Sequence, residues 1–362
     1  MAQDTTTHPA AWDPMTEWQD RRIDWVRVDI APEDLRRFTR RSDALRLAHA
    51  LGFLGLLAVT GTAAYLAFSQ GRWVLMALAL YAHGLIYAHF GAALHELGHH
   101  TVFASGWLTK AMLTLYGLLY WPWNPYLYRL SHVHYHHRYT LHQGSDGEDT
   151  PNYVELSPRI AVRLFLPSLQ FRSLAQNLGR LLTLKPTSKG WRGRGYELDA
   201  WERFVLQRAS EAERRQVCRF SVLVLAVHAA FVAACLATGQ WFGLLLVTVA
   251  PFYGPAFHNF LCGTHQHACC QANHPDFRVS CGDAVLDPLS SFLYWHMEYH
   301  IEHHMFAGIP CYRLKAFRRF VADQLPPRQP AVGRLFALAR LSREKYGTWQ
   351  NWRDQFGRYK GY

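Results

Sequence analysis

Four stretches of this chain carry no Asp, Glu, Lys or Arg: Leu47 to Gln70, Trp73 to Leu94, Phe220 to Gly239 and Trp241 to Cys262. Each has the roughly 20 apolar residues needed to cross a bilayer. A backbone in hydrocarbon must satisfy its own N–H and C=O groups, which restricts such runs to helices. The first two runs are separated only by a turn around Gly71 and Arg72, the last two only by Gln240. The expected fold is therefore all-α, an integral membrane protein with four transmembrane helices in two hairpins (47–70 with 73–94, and 220–239 with 241–262). A fifth uncharged stretch, Ala111 to Tyr128, contains Pro122 and Pro125 and reads as interfacial or re-entrant. The competing reading is a soluble helical protein that buries both hairpins.

Orientation follows from the basic residues. Arg36, Arg37, Arg40, Arg41 and Arg46 precede the first run, whereas Arg72 alone follows it. The middle segment carries Arg163, Arg172, Arg180, Lys185, Lys189, Arg192 and Arg194, and Arg214, Arg215 and Arg219 precede the third run. Arg313, Lys315, Arg318 and Arg319 lie beyond the fourth. Both termini and the middle segment are thus expected in the cytoplasm, for a multi-pass protein of a plasma or bacterial inner membrane. The chain divides into a cytoplasmic segment 1–46, a membrane domain 47–325 and a cytoplasmic tail 326–362. The net charge of +11 suits anionic lipid headgroups; no nucleic-acid-binding motif accompanies it, and no nucleic acid is expected as a partner. The first 40 residues are polar rather than a signal-peptide core. Seven cysteines without a C-x-x-C pair do not form a disulfide framework, although Cys269, Cys270 and Cys281 lie near histidines and open a zinc alternative.

The histidines are unevenly placed. Of 21, eleven fall in H-E-L-G-H-H (His95, His99, His100), H-V-H-Y-H-H (His132, His134, His136, His137) and H-M-E-Y-H-I-E-H-H (His296, His300, His303, His304). T-H-Q-H adds His265 and His267. Neutral imidazole is a common ligand of iron, zinc, copper and nickel. One zinc takes about four ligands, and this set is large enough for two metal ions. The expected topology places every group on the cytoplasmic face, where they can meet. His49, His83, His89 and His228 have no cluster partners and read as hydrogen-bonded core residues; His8 reads as a surface residue. The repeat His296, His300, His304 predicts a helix ended by Ile309-Pro310, and Tyr312 to Gln324 another ended by Pro326-Pro327. Lys185 to Gly195 reads as a loop.

H-E-L-G-H also fits the metalloprotease pattern H-E-x-x-H. Its third, acidic ligand would have to come from Leu286-Asp287-Pro288, and the other clusters would go unused. A metal transporter or sensor would place ligands along the spans instead.

The whole pattern resembles the membrane fatty-acid desaturase family and its hydroxylase relatives, over roughly residues 35 to 325. The three boxes are His95-x-x-x-His99, His132-x-x-x-His136-His137 and His300-x-x-His303-His304, with H-I-E-H-H-M-F-A-G-I-P similar to the family's third-box stretch. T-H-Q-H resembles the element that supplies a further ligand after the fourth helix, from His265 or His267. The resemblance implies two iron ions held at His95, His99, His132, His136, His137, His265, His300, His303 and His304, with His100 as an alternate. His134 makes the first ligand of the second box ambiguous with His132. Glu96 and Glu302 read either as acceptors that orient ligand rings or as ordinary helix polarity; Asp146, Glu148 and Asp149 are candidates for the same role, with a solvated acidic loop the preferred reading. The implied activity is desaturation of a lipid acyl chain, or hydroxylation on the same scaffold. With no H-P-G-G haem element in the chain, electrons would come from an external ferredoxin, rubredoxin or b-type cytochrome with its reductase. Trp121, Trp123 and Tyr126 around Asn124 read either as the mouth of an acyl channel or as interfacial anchors.

Overall fold

The structure, a computed structural model, describes residues 22–148, 150–167, 171–183 and 200–356. His8, Asp149 and the Lys185–Gly195 loop lie outside them. Helices make up the described residues, with isolated bridges such as Asn152 with Ala268 and no named strand among them.

Among the described residues three helices are long and apolar enough to cross a membrane: Asp43–Ser69, Trp73–Gly98 and Glu211–Ala237. The first, α1 (Asp43–Ser69), packs along α2 (Trp73–Tyr87) after a turn in which Gly71 takes φ 66°, a left-handed value that glycine adopts without strain. A slight break at Ala88–His89 separates α2 from α3 (Phe90–Gly98), and the two run on as one apolar length. α4 (Gly106–Leu119) and α5 (Pro125–Ser131) follow, divided by Pro122 and Pro125 as the sequence suggests. Asn124 caps α5 by accepting from the amides of Tyr126 and Leu127, while its amide donates to Val217 O (3.0 Å) and Ser221 Oγ (2.9 Å). Trp121 donates to Thr248 O at 2.8 Å and stacks on His228, so it ties elements of the protein together. The third long helix, α6 (Glu211–Ala237), opens on a reciprocal capping box between Ser210 and Glu213.

The fourth uncharged run is not one helix. It forms Phe242–Leu246, Ala250–Tyr253 and α7 (Phe257–Gly263). Pro251 and Pro255 cannot donate the hydrogen bonds a continuous helix needs. Pro251 therefore opens a short helix, and Gly254, just before Pro255, is extended at ψ 138°. The broken run still traverses the bundle. It starts where Phe242 stacks on Phe68 near the far end of α1 and leads into His267 among the clustered histidines. At the break Gly254 lies against Gly84 of α2: a Cβ on Gly254 would strike the Gly84 carbonyl, and one on Gly84 would lie 2.8 Å from the Gly254 Cα.

The helix expected from His296 begins only at His300. Trp295 and His296 have φ of 53° and 61°, so the chain turns there before α8 (His300–Met305). α9 (Cys311–Phe320) follows, continued by a short 3₁₀ turn at Ala322–Gln324. α10 (Ala331–Tyr346) packs over the loop after α7, burying Leu335 and Leu338 with Val154 and Ala268.

Candidate metal centre

Nine histidines converge in two groups. The first contains His95, His99, His132, His137 and His303; the second contains His136, His267, His300 and His304. In each, one ligand atom from every residue lies within 4.8 Å of the others. His95 is in α3 and His99 immediately follows it, one turn on, with ring centroids 4.8 Å apart. α8 delivers His300, His303 and His304. The middle box forms a π-helical turn, His132–His136, whose wider i→i+5 spacing brings His137 under His132, the rings edge to face at 4.7 Å. Their Nε2 atoms are 3.0 Å apart. His134 falls on the other side of this turn and pairs with Glu213 at 3.7 Å.

Eight of the ten histidines expected as ligands are in these groups. His100 and His265 are in neither. His100 is exposed, with left-handed φ 58°, and turns away as the chain leaves α3. In T-H-Q-H it is His267 that reaches the second group, where its Nε2 lies 3.0 Å from that of His300. His49, His83 and His228 accept or donate within the bundle, to Phe292 O, Thr60 and Leu246 O, and Leu118 O.

Ring orientation comes from the outer nitrogens. His95 Nδ1 bonds Glu96 Oε1 at 2.9 Å, His132 Nδ1 bonds Glu148 Oε1 at 2.5 Å, and His136 Nδ1 bonds Asp146 Oδ2 at 2.8 Å. His267 Nδ1 donates to Ser280 O at 3.0 Å, and His304 Nδ1 bonds Thr140 Oγ1 at 3.0 Å. Such bonds set tautomer and ring angle and direct Nε2 inward. Asp146 is itself fixed, accepting from the amides of Leu141 and Glu148, both at 2.9 Å. The acidic segment after the second box thus holds the rings, although its polarity reads as solvated loop; its spacing of 10 and 16 residues from His136 and His132 is the signal in the sequence. Glu302 does not orient a ring. It pairs with the buried Arg318 at 2.8 Å, which also meets Asp283 at 3.1 Å.

Burial, and then neighbouring imidazoles, hold His99, His132, His137, His300 and His304 well below the ordinary histidine pKa. Burial likewise takes His303 down to about 3, against the opposing pull of Glu96. Burial thus favours the neutral form of these six rings, the form that binds metal. Several facing nitrogens have no partner of their own. His95, His99 and His304 each bury an Nε2 that makes no hydrogen bond. His137 Nε2 faces both His132 Nε2 (3.0 Å) and His303 Nε2 (3.2 Å), and one proton cannot serve both. Two nitrogens sharing one metal at about 2.1 Å and a right angle lie roughly 3.0 Å apart. The donor set therefore fits bound metal. No cysteine joins either group, and Asp287, the acidic residue of L-D-P, caps Pro288–Leu293 instead.

Long apolar helices carrying a buried, all-histidine centre define a membrane metalloprotein. The sequence matches the fatty acid desaturase family over residues 71–336, and the chain belongs to that family. It is accordingly an oxidoreductase acting on lipids. No curated protein matches it.

Proposed function

We propose that the chain is a membrane fatty-acyl desaturase, using dioxygen and two external electrons to introduce a double bond into a lipid acyl chain. The observation that supports this most is the pair of adjacent, buried, all-imidazole groups, each large enough for one iron. Iron bound in both groups would pass the electrons that cleave dioxygen, and so would supply the oxidising strength that breaking an unactivated C–H bond requires. The protein's part is positional. His95, His99, His132, His137 and His303 would hold one ion, and His136, His267, His300 and His304 the other. Glu96, Glu148, Asp146 and Ser280 O keep those rings aimed inward, and the burial of the rings keeps bulk water out.

Membrane insertion is supported by the apolar residues that α1, α2 and α6 leave exposed, among them Leu51, Val59, Leu66, Val74, Leu78 and Leu236. The broken run from Phe242 to Gly263 serves as the fourth crossing, its proline breaks covered by α2. This puts both termini and the histidines on the cytoplasmic face of a plasma or inner membrane, within reach of a ferredoxin, rubredoxin or b-type cytochrome.

Lipid profiling of cells expressing the protein tests the reading: a new double bond in an acyl chain, absent with His136→Ala, is the expected result. An acyl alcohol would move the assignment to hydroxylation. One tightly held zinc with peptidase activity would replace it altogether.

A further inference from the structure

None of the clustered histidines lines the open pocket of about 510 Å³ that lies between α4 and α6. Lys110 of α4 and Arg215 and Arg219 of α6 bring cations to it, and Phe220 and Leu223 bring apolar surface. Thr114 of α4 and Tyr126 of α5 join hydroxyls at 2.8 Å in its lining. Phe220 packs on Tyr126, with ring centroids 5.4 Å apart, and reaches α4 at Gly117, where a Cβ would lie 2.8 Å from its ring. These rings close the pocket where the helices touch. Glu211 pairs with the exposed Arg215, but no described residue lining the pocket is acidic, and no described carboxylate pairs with Lys110 or Arg219. Cations gathered in this way repel one another unless an anion joins them.

The pattern along α6 says which anion. Arg215, Arg219, Leu223 and Val227 recur at every fourth residue and form one stripe of the helix. The stripe turns from cationic to apolar at Phe220, where the charge-free run begins. Beyond that point Leu223 and Val227 stay 41% and 39% exposed. On the facing helix Trp107 and Leu115 are exposed beside Lys110, and tryptophan favours the headgroup level of a bilayer. A ligand with an anionic head and a hydrocarbon tail matches both halves of the stripe. A free phosphate would leave the apolar half unused.

We propose that this pocket holds one anionic phospholipid, its phosphate on Lys110, Arg215 and Arg219 and an acyl chain along Leu223 and Val227. The inference rests on the membrane placement of α6 given above and not on the oxidation chemistry. The lipid is a resident one, bound apart from the histidine centre. It bridges α4 and α6 over α5, which packs against both and runs directly into His132. The bound lipid therefore braces the backbone that leads into the second histidine box.

Native mass spectrometry of the purified full-length protein tests this, with phosphatidylglycerol and phosphatidylcholine of the same acyl chains offered in equal amounts. One phosphatidylglycerol should be retained per chain, with a preference of about ten-fold or more. Lys110→Gln combined with Arg219→Gln should erase the preference, and Lys110→Arg combined with Arg219→Lys should keep it. Arg340→Gln, at an exposed ion pair on α10, should change nothing. Glycerol phosphate, a headgroup without chains, should displace the lipid only at more than about a hundred-fold excess. Displacement at equal concentration would make this a site for phosphate alone and overturn the lipid assignment. Equal retention of the two lipids, retention of neither, or full preference in the Gln variant would overturn it as well. The measurement needs neither metal nor product, so its outcome is separate from that of the desaturase reading. A wild type that stays in solution without detergent would instead overturn the membrane placement, and this inference with it.

Discussion

Arg318 shows what a single buried residue does for the centre. Its guanidinium bridges Glu302 and Asp283, and Asp283 in turn accepts the amide of Ile301 at 2.9 Å. The charged pair therefore holds the start of α8, the helix that carries three of the nine imidazoles. Arg318→Met strands two buried carboxylates, and the unfolding free energy should drop by about 3–5 kcal/mol; a denaturant titration checks this. The proposed ligands are separable by metal analysis. His99→Ala should lower the metal bound in the first group and His304→Ala that in the second, whereas His100→Ala should bind as wild type. His267→Ala should lose metal and His265→Ala should not; the opposite outcome would return the T-H-Q-H ligand to His265. Acid sensitivity has a definite sign. In chelated protein burial holds His99, His132, His137, His300 and His304 well below the ordinary value and His303 down to about 3 when folded, whereas all take up protons near 6.5 once unfolded. The unfolded state thus binds more protons below about 6.5, and the unfolding midpoint should fall steadily from pH 7 to pH 4.

At the scale of elements, the contact of α2 with the broken run is the most demanding one. Gly84→Ala or Gly254→Ala forces a methyl group against backbone, a loss of about 1–3 kcal/mol typical of overpacking. Thermal unfolding in detergent micelles would show it. What the sequence revealed about elements depended on the kind of constraint. Missing charge is a property of composition, so the apolar runs and the turn at Gly71 are legible directly. The breaks at Pro251 and Pro255 go unread, because missing charge alone makes 241–262 look like one helix, and how the chain continues through them depends on Gly84 lying opposite. The left-handed turn at Trp295 and His296 leaves no periodic signal. The π turn is equally silent. It decides that His137 joins His132 at the centre, because one added residue per turn brings the fifth residue on into line; His134 falls on the far side in either kind of turn.

For the whole molecule, a reporter at Gln240 should lie across the membrane from one at Cys281, and finding both on one face would end the four-crossing proposal. The histidine boxes were legible as a metal centre because imidazoles at such spacing have little other use, but their division into two groups was not. That division is set by three-dimensional direction: His136 and His137 are consecutive yet belong to different groups, as do His303 and His304. Each of these residue pairs shares a peptide bond, so displacing the backbone of one group displaces the other. Occupancy of the two groups should then be coupled, the first ion captured pre-ordering the second group and raising its affinity. A titration of chelated protein with ferrous ion under argon should be sigmoidal, with half-filled molecules scarce at the midpoint.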